Sequence, residues 1–280
     1  MKKFKTLLAG ACTLALSATL LFGCSQANES ANTQTAAPAD EGGASEPTTL
    51  TVGFDAGYPP YGYVADDSSY TGFDLELAKA VADKNGWELV TEPIDWDAKD
   101  ALIQSGAIDC IWNGFTMEGR EDDYTFSDPY MLNEQVIVVR NDSGIESTAD
   151  LAGKNVITQA DSAALDVLNG DQAELKDTFN ELSTIGDYNN AFMQLESGMV
   201  DAVACDLSIA AYQMAANPDV YKQLDSLSSE HYAVGFNKGN DELADQVTAS
   251  LKELNADGTV EALCEKYADQ GITYENWILE

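Results

Sequence analysis

The chain has 280 residues, with 48 acidic side chains against 14 basic ones, a single histidine and a formal charge of −34. This excess of negative charge excludes a general affinity for nucleic acid, which needs a basic footprint. One histidine leaves one possible base for a Ser-His-Asp or Cys-His centre, no nucleophile motif accompanies His231, and no glycine-rich phosphate loop or other cofactor motif is present.

In chain order, Lys2, Lys3 and Lys5 precede an apolar run from about Leu7 to Phe22 that ends Leu21-Phe22-Gly23-Cys24. A positive flank, a short apolar core and a small residue before the cut describe a secretory signal peptide over residues 1–23. Leucine, glycine and cysteine at these spacings resemble the bacterial lipobox, with Phe22 bulkier than the usual residue. That resemblance implies a diacylglyceryl group and palmitate on Cys24. Threonine, serine and glycine interrupt the apolar run, and no other segment approaches the length of a membrane helix. The expectation is a protein held at the cell membrane on its extracytoplasmic face by lipid, without a span. Residues 25–47 contain no aromatic, leucine or β-branched aliphatic side chain, so residues 24–47 are expected to be a lipidated cysteine on a disordered tether. Cys12 lies in the leader, and Cys110, Cys205 and Cys264 stand in no metal-ligand spacing, which predicts buried free thiols and no metal.

From Thr49 strands and helices alternate. A strand is predicted over Leu50–Phe54, an amphipathic helix from Phe73 to Asn85-Gly86, a strand over Trp87–Thr91, a helix over Asp97–Gln104 and a strand over Ala107–Trp112. Interleaved strands and helices predict α/β architecture with parallel sheets covered on both faces. The phrase Gln104-Ser-Gly-Ala-Ile-Asp109 then recurs as Glu196-Ser-Gly-Met-Val-Asp201. Each reads as a helix stopped by Ser-Gly, then an aspartate and a short apolar strand. Two copies in matching context predict two similar lobes. Ligands in open α/β sheets sit beyond the carboxyl ends of the strands, so Asn113, Gly114, Thr116 and Arg120 should face Asp206 across a cleft.

Arg120 is one of two arginines in the chain. Its planar fork matches a carboxylate, as a lysine cannot, and Asp206 opposite would match an ammonium. Together they suit a zwitterion. The alternatives are a surface ion pair of Arg120 with Glu118 or Glu121, and Asp206 as a helix N-cap. Tyr58 lies in the turn Ala56-Gly57-Tyr58-Pro59-Pro60 and is expected at a ligand, whereas Trp112 reads as core. Asn255-Ala-Asp257-Gly258 reads as a turn between helices rather than a calcium loop.

Five motifs follow in order: Gly53-Phe-Asp55-Ala-Gly-Tyr58-Pro-Pro-Tyr61, Tyr70-Thr-Gly-Phe-Asp74-Leu-Glu-Leu-Ala, Gly114-Phe-Thr116 followed by Arg120, Tyr124-Thr-Phe-Ser-Asp-Pro-Tyr130 and Ala256-Asp-Gly-Thr259. With them the chain resembles, over residues 48–280, the amino-acid-binding lipoproteins of ABC importers, with the type II periplasmic-binding-protein fold. The resemblance rests on these motifs together. It implies one lobe from 48–131 with 235–280 and a second from 134–231. Two hinge crossings would lie near Met131–Asn133 and Tyr232–Val234. It further implies a monomer that closes on a free amino acid and presents it to a membrane permease. Arg120, the Thr116 amide and the amide near Ser162 would take the α-carboxylate. Asp206, the Gly114 carbonyl and the Thr116 hydroxyl would take the α-ammonium. Tyr58 and Trp96 would hold the side chain, and Asp55 its polar end. The turn Met117-Glu118-Gly119 is one residue shorter than the family's. With no second cation evident near the pocket, a polar or cationic side chain is favoured over an acidic one. The competing class is an enzyme on the same fold, resembling cyclohexadienyl or arogenate dehydratases. A sensory ectodomain is a third, for which no signalling segment follows.

Overall fold

Alternating strands and helices run from Thr49 almost to the C-terminus in the computed structural model, which describes residues 48–280. The signal peptide expected over 1–23, the expected lipid site at Cys24 and the expected tether to residue 47 lie outside the described residues. The first stretch contains β1 (Thr49–Phe54), β2 (Gly57–Tyr58), β3 (Gly62–Val64), β4 (Tyr70–Thr71), α1 (Phe73–Asn85), β5 (Glu88–Pro93), α2 (Lys99–Ser105), β6 (Cys110–Ile111) and β7 (Tyr124–Phe126). The middle stretch contains β8 (Met131–Arg140), β9 (Asn155–Gln159), α3 (Ala163–Asn169), α4 (Ala173–Lys176), β10 (Glu181–Ile185), α5 (Tyr188–Ser197), β11 (Ala202–Asp206), α6 (Leu207–Ala216), β12 (Tyr221–Gln223) and β13 (Ser228–Tyr232). The chain ends with β14 (Gly235–Asn237), α7 (Asp241–Ala256) and α8 (Thr259–Lys266).

Two lobes result, each built on its own sheet. The first sheet is ordered β5-β1-β6-β14-β7 and the second β10-β9-β11-β8-β12, with β13 also on β8; β2, β3 and β4 form a small separate meander. In each lobe the first three strands of that order are parallel, and the strand after them runs antiparallel. The parallel trio matches the expectation from alternating elements. The antiparallel strands are those by which the chain crosses between lobes: β8 carries it into the second sheet, and β14 receives it back in the first.

The repeated Ser-Gly phrase does the same job twice. Gly106 (φ 74°) and Gly198 (φ 76°) end α2 and α5 in the left-handed region, where a Cβ is costly. Asp109 then takes the Thr51 N–H on its carboxylate at 2.7 Å, and Asp201 takes the Asn155 N–H at 2.9 Å. Each aspartate thereby pins the start of the following strand beside its parallel neighbour, β6 beside β1 and β11 beside β9. The strand predicted over Ala107–Trp112 shrinks to Cys110–Ile111, because the Ala107 N–H is spent on the Leu102 carbonyl in closing α2. The helix predicted from Asp97 opens as a 3-10 turn, Trp96–Ala98, before α2.

Helix α1 buries Phe73, Leu77, Ala78, Val81 and Ala82 along one stripe and stops at Gly86 (φ 70°). Trp112 is fully buried, as its apolar strand predicted. Cys110, Cys205 and Cys264 are buried free thiols, and burial pushes Cys264 up to about 12. Asp257 accepts the N–H and hydroxyl of Thr259, so the turn between α7 and α8 is Asp257–Gly258, with Asn255 and Ala256 ending α7.

At the junction, β8 and β13 pair antiparallel from Met131↔Tyr232 to Gln135↔Ser228. Ser127 and Val234 exchange bonds beside them: the Ser127 N–H donates to the Val234 carbonyl, and the Val234 N–H donates to Ser127 Oγ. Tyr58 and Tyr61 from the first lobe pack on Tyr188 and Tyr232 at ring separations of 6.1 and 5.2 Å. The two crossings and this tyrosine cluster position the site.

Candidate functional site

A cavity of about 290 Å³ lies between the lobes. Tyr58, Trp96, Asn113, Gly114, Thr116 and Arg120 form its wall on the first lobe, and Gln159, Ser162, Ala163 and Asp206 its wall on the second. Eight of the nine ligand-binding residues expected from the sequence therefore meet at one cavity. Asp55 does not line it.

The turn after β6 supplies four of these groups. Gly114 has φ 59°, and a Cβ there would stand 3.1 Å from both Tyr58 and Tyr232, so the tight turn excludes a side chain. Its N–H donates to Asp74 Oδ2 at 2.6 Å, and Asn113 Oδ1 accepts the Asp55 N–H at 2.6 Å. Tyr130 also donates to Asp74 Oδ2. Burial nevertheless dominates at Asp74 and pushes its carboxyl up to about 7. Among the described residues nothing takes the Thr116 N–H or donates to the Gly114 carbonyl. Both remain available to a ligand.

Arg120 is buried, with its guanidinium 5.1 Å from the Phe115 ring. The short Met117–Gly119 turn does not keep it from the cavity: Gly119 takes φ 77°, and Arg120 Nη1 donates back to the Thr116 carbonyl at 3.2 Å. Its Nη2 crosses to the second lobe, donating to Asp166 at 3.1 Å and to the Asp161 carbonyl at 3.4 Å. Asp166 is two-thirds exposed, so that pair is weakly held and a desolvated ligand carboxylate could displace it. Neither Glu118 nor Glu121 is its partner; Glu118 binds His231.

Asp206 sits at the end of β11 where α6 begins, yet its side chain makes no cap bond. Its Oδ1 instead accepts from Gln135 Nε2 at 2.7 Å, Asn133 Nδ2 at 2.9 Å and the Tyr232 hydroxyl at 3.0 Å. Burial raises its carboxyl above the ordinary range, opposed by these donors. Ser162 caps α3, accepting the Leu165 N–H at 3.2 Å while donating to the Gln159 carbonyl.

Asp55 borders a second, more open space of about 820 Å³ that shares Trp96 with the cavity and also carries Asp95 and Asp187. Gln159 Nε2 donates to Asp55 Oδ2 at 2.6 Å across the lobe boundary. Burial raises the Asp55 carboxyl, with Asp187 and Asp95 adding repulsion.

Several groups escaped the sequence reading. Gln159 ends β9 and Ala163 opens α3, and neither belongs to a motif. Glu230 accepts on Oε1 from Thr116 Oγ1 at 2.6 Å, Asn133 at 2.7 Å and Gln135 at 2.8 Å. Burial and Asp206 push it up to about 7. A second cation does stand close by, contrary to expectation: buried Lys99 lies 5.6 Å from the Trp96 ring. It is paired with Asp161 across the lobe boundary and does not line the cavity.

A family profile described as bacterial extracellular solute-binding proteins, family 3, matches residues 50–270. The chain is 30% identical over 230 residues to the L-cystine-binding protein TcyJ of Escherichia coli (strain K12), covering 80% of this chain and 84% of that one. It is 30% identical over 272 residues to the arginine-binding extracellular protein ArtP of Bacillus subtilis (strain 168), covering 95% and 98%. The fold superimposes on a substrate-binding protein of an ABC uptake transporter from Streptococcus pneumoniae with bound histidine, at a TM-score of 0.77 and 32% identity, covering 81% of this chain and 94% of that one. With the profile spanning most of the chain and the two-lobed fold around a shared cavity, the protein belongs to the family 3 bacterial extracellular solute-binding proteins.

Proposed function

We propose that the protein captures a free amino acid between its lobes and delivers it to an ABC importer permease. The observation that carries this reading is one cavity with the Arg120 cation on one wall and the Asp206 carboxylate on the other. Arg120 and the Thr116 N–H take the carboxylate, with an amide near Ser162. Asp206, the Gly114 carbonyl and Thr116 Oγ take the ammonium. The Thr116 hydroxyl proton points to Glu230, so its lone pairs are left for an N–H donor. Tyr58 and Trp96 enclose the side chain. The division of strands between the two sheets supports lobes of 48–131 with 235–280 and of 134–231. We take the protein to act as a monomer.

For the side chain we favour a polar or cationic group. Asp55, Asp95 and Asp187 surround the space beyond Trp96, where a cation gains and a carboxylate is repelled. Relatives named for arginine and cystine, and a neighbour holding histidine, are consistent with this choice. An enzyme would need a general acid at the ligand. The one carboxylate lining the cavity, Asp206, is held by three donors in the manner of a fixed counter-ion.

Among the described residues no helix is long and apolar enough to cross a membrane. We place the mature protein at the membrane through lipid on Cys24. Mass spectrometry of the small molecules released on denaturing the purified protein, with melting shifts across the amino acids, tests the function. An intact cationic or polar amino acid is expected. Turnover of the ligand, or no shift with any amino acid, refutes the reading.

A further inference from the structure

Two carboxylates, not one, stand at the ammonium end of the cavity, and the same two amides hold both. Asn133 Nδ2 and Gln135 Nε2 each donate one hydrogen to Asp206 Oδ1 and the other to Glu230 Oε1. Glu230 is 3% exposed and does not line the cavity. From β13 it faces Asp206 at the end of β11, Asn133 and Gln135 on β8, and Thr116 after β6. Arg120 lies beyond Thr116, on the carbonyl side of that residue. Tyr232, two residues along β13, donates to Asp206, and the intervening His231 is turned to exposed Glu118. No cation among the described residues is bonded to either carboxylate.

We propose that Glu230 is a positioning residue of the ammonium subsite, holding the Thr116 hydroxyl as a ligand acceptor and giving up its own proton when the ammonium of a bound amino acid arrives at Asp206. The inference rests on the amino-acid-binding reading above. Without ligand, two adjacent buried anions repel, and burial with the neighbouring Asp206 keeps Glu230 protonated up to about pH 7. An ammonium on Asp206 cancels that repulsion and favours the ionised Glu230. The proton balance is then simple: the Glu230 carboxylic acid becomes a carboxylate, and its proton leaves to solvent. Binding therefore weakens as pH falls through the window below about 7. The ligand's α-ammonium and α-carboxylate do not titrate there.

The test is calorimetric titration of the tightest-binding amino acid into the whole mature domain, in buffers of different ionisation enthalpy. Wild-type affinity should fall on the order of tenfold between about pH 8 and pH 6. Net proton release should accompany binding near pH 6. Glu230→Gln keeps an acceptor oxygen for Thr116, Asn133 and Gln135 but cannot titrate, so its affinity should stay within about twofold over the same range. His231→Gln, which changes the neighbouring residue of β13 turned to Glu118 and leaves both amides in place, should keep the wild-type slope. If Glu230→Gln does not fold, proton release by wild type and His231→Gln decides alone. Binding with a flat wild-type profile and no released proton overturns the proposal, as does an unchanged slope in Glu230→Gln. In both cases the amino-acid reading survives. If no amino acid binds at any pH, that reading falls and takes this one with it.

Discussion

Arg120 and Asp206 are both buried against one cavity, and each is satisfied without ligand by contacts of different strength. Asp206 has three firm donors, whereas Arg120 leans on a mostly exposed Asp166. A ligand carboxylate thus replaces a weak partner. Truncating one member of a buried charge pair costs about 2–5 kcal/mol, on the order of 30- to several-thousand-fold in affinity. Arg120→Ala and Asp206→Ala should each lose that much by calorimetry. Arg140→Ala, at the other arginine and remote from the cavity, should bind as wild type. A loss below about threefold in Arg120→Ala would reduce the arginine to a structural residue. At the same scale, Asp74 and Glu230 both hold their protons up to about 7 in the fold. Raised carboxylates stabilise the fold below their unfolded values, near pH 4, and that stability is lost as pH rises through 7. The ligand-free protein should therefore melt higher at about pH 5 than at about pH 8, and Asp74→Asn should narrow the difference. A melting temperature that rises over this interval contradicts both assignments.

The loop over residues 160–162, with Gln159 at the end of β9, joins β9 to α3 and does most of the work across the lobe boundary. Asp161 adopts φ 60°, unusual for a residue with a side chain. Its carboxylate meets Lys99, and its carbonyl accepts from Trp96 Nε1 at 3.1 Å and Arg120 Nη2 at 3.4 Å. Gln159 reaches Asp55 from the end of β9, and Asn189 at the start of α5 donates to the Gly57 carbonyl at 3.1 Å. All of these contacts cross the lobe boundary, so any opening of the lobes would break them together. Asp161→Ala leaves Lys99, 4% exposed, without its partner in the closed form. Because Asp161 is half exposed, the penalty is roughly 1 kcal/mol, about fivefold in affinity. Solution scattering with subsaturating amino acid should show a more expanded population for Asp161→Ala than for wild type. Identical profiles at equal ligand would deny the loop a role in closure.

For the whole molecule, two matching sheets joined by paired crossings allow rotation about β8 and β13 without disturbing either core. The Asp109–Thr51 and Asp201–Asn155 pins lie within single lobes, so they survive such a motion, whereas the Asp161 and Gln159 contacts do not. The strongly acidic surface keeps the protein solvated and repels other copies. The leader proposed over residues 1–23 gives a separate prediction: Cys24→Ser, expressed in a bacterial host, should remain unprocessed or be released from the membrane fraction. Unchanged processing and retention would refute the lipid anchor.

What the sequence determined by itself was whatever local chemistry enforces. Glycine at a helix end, an apolar stripe at helical spacing and an aspartate before a short strand each act over a few residues. They made α1, the repeated lobe and the turn at Gly258 readable without coordinates. The family motifs added Tyr58, Trp96, Asn113, Gly114, Thr116, Arg120, Ser162 and Asp206, which the fold brings to one cavity. Only the tertiary structure decided the rest. Glu230 lies 114 residues from Thr116 and 97 from Asn133, in a strand of ordinary polar composition, and nothing local marks it out among 48 acids. Gln159, Lys99 and Asp161 matter because two lobes meet, and Asp55 moved to the neighbouring acidic space for the same reason. Burial and charge at the cleft depend on which distant side chains share it, and that is set by long-range packing rather than by any residue's neighbours in the chain.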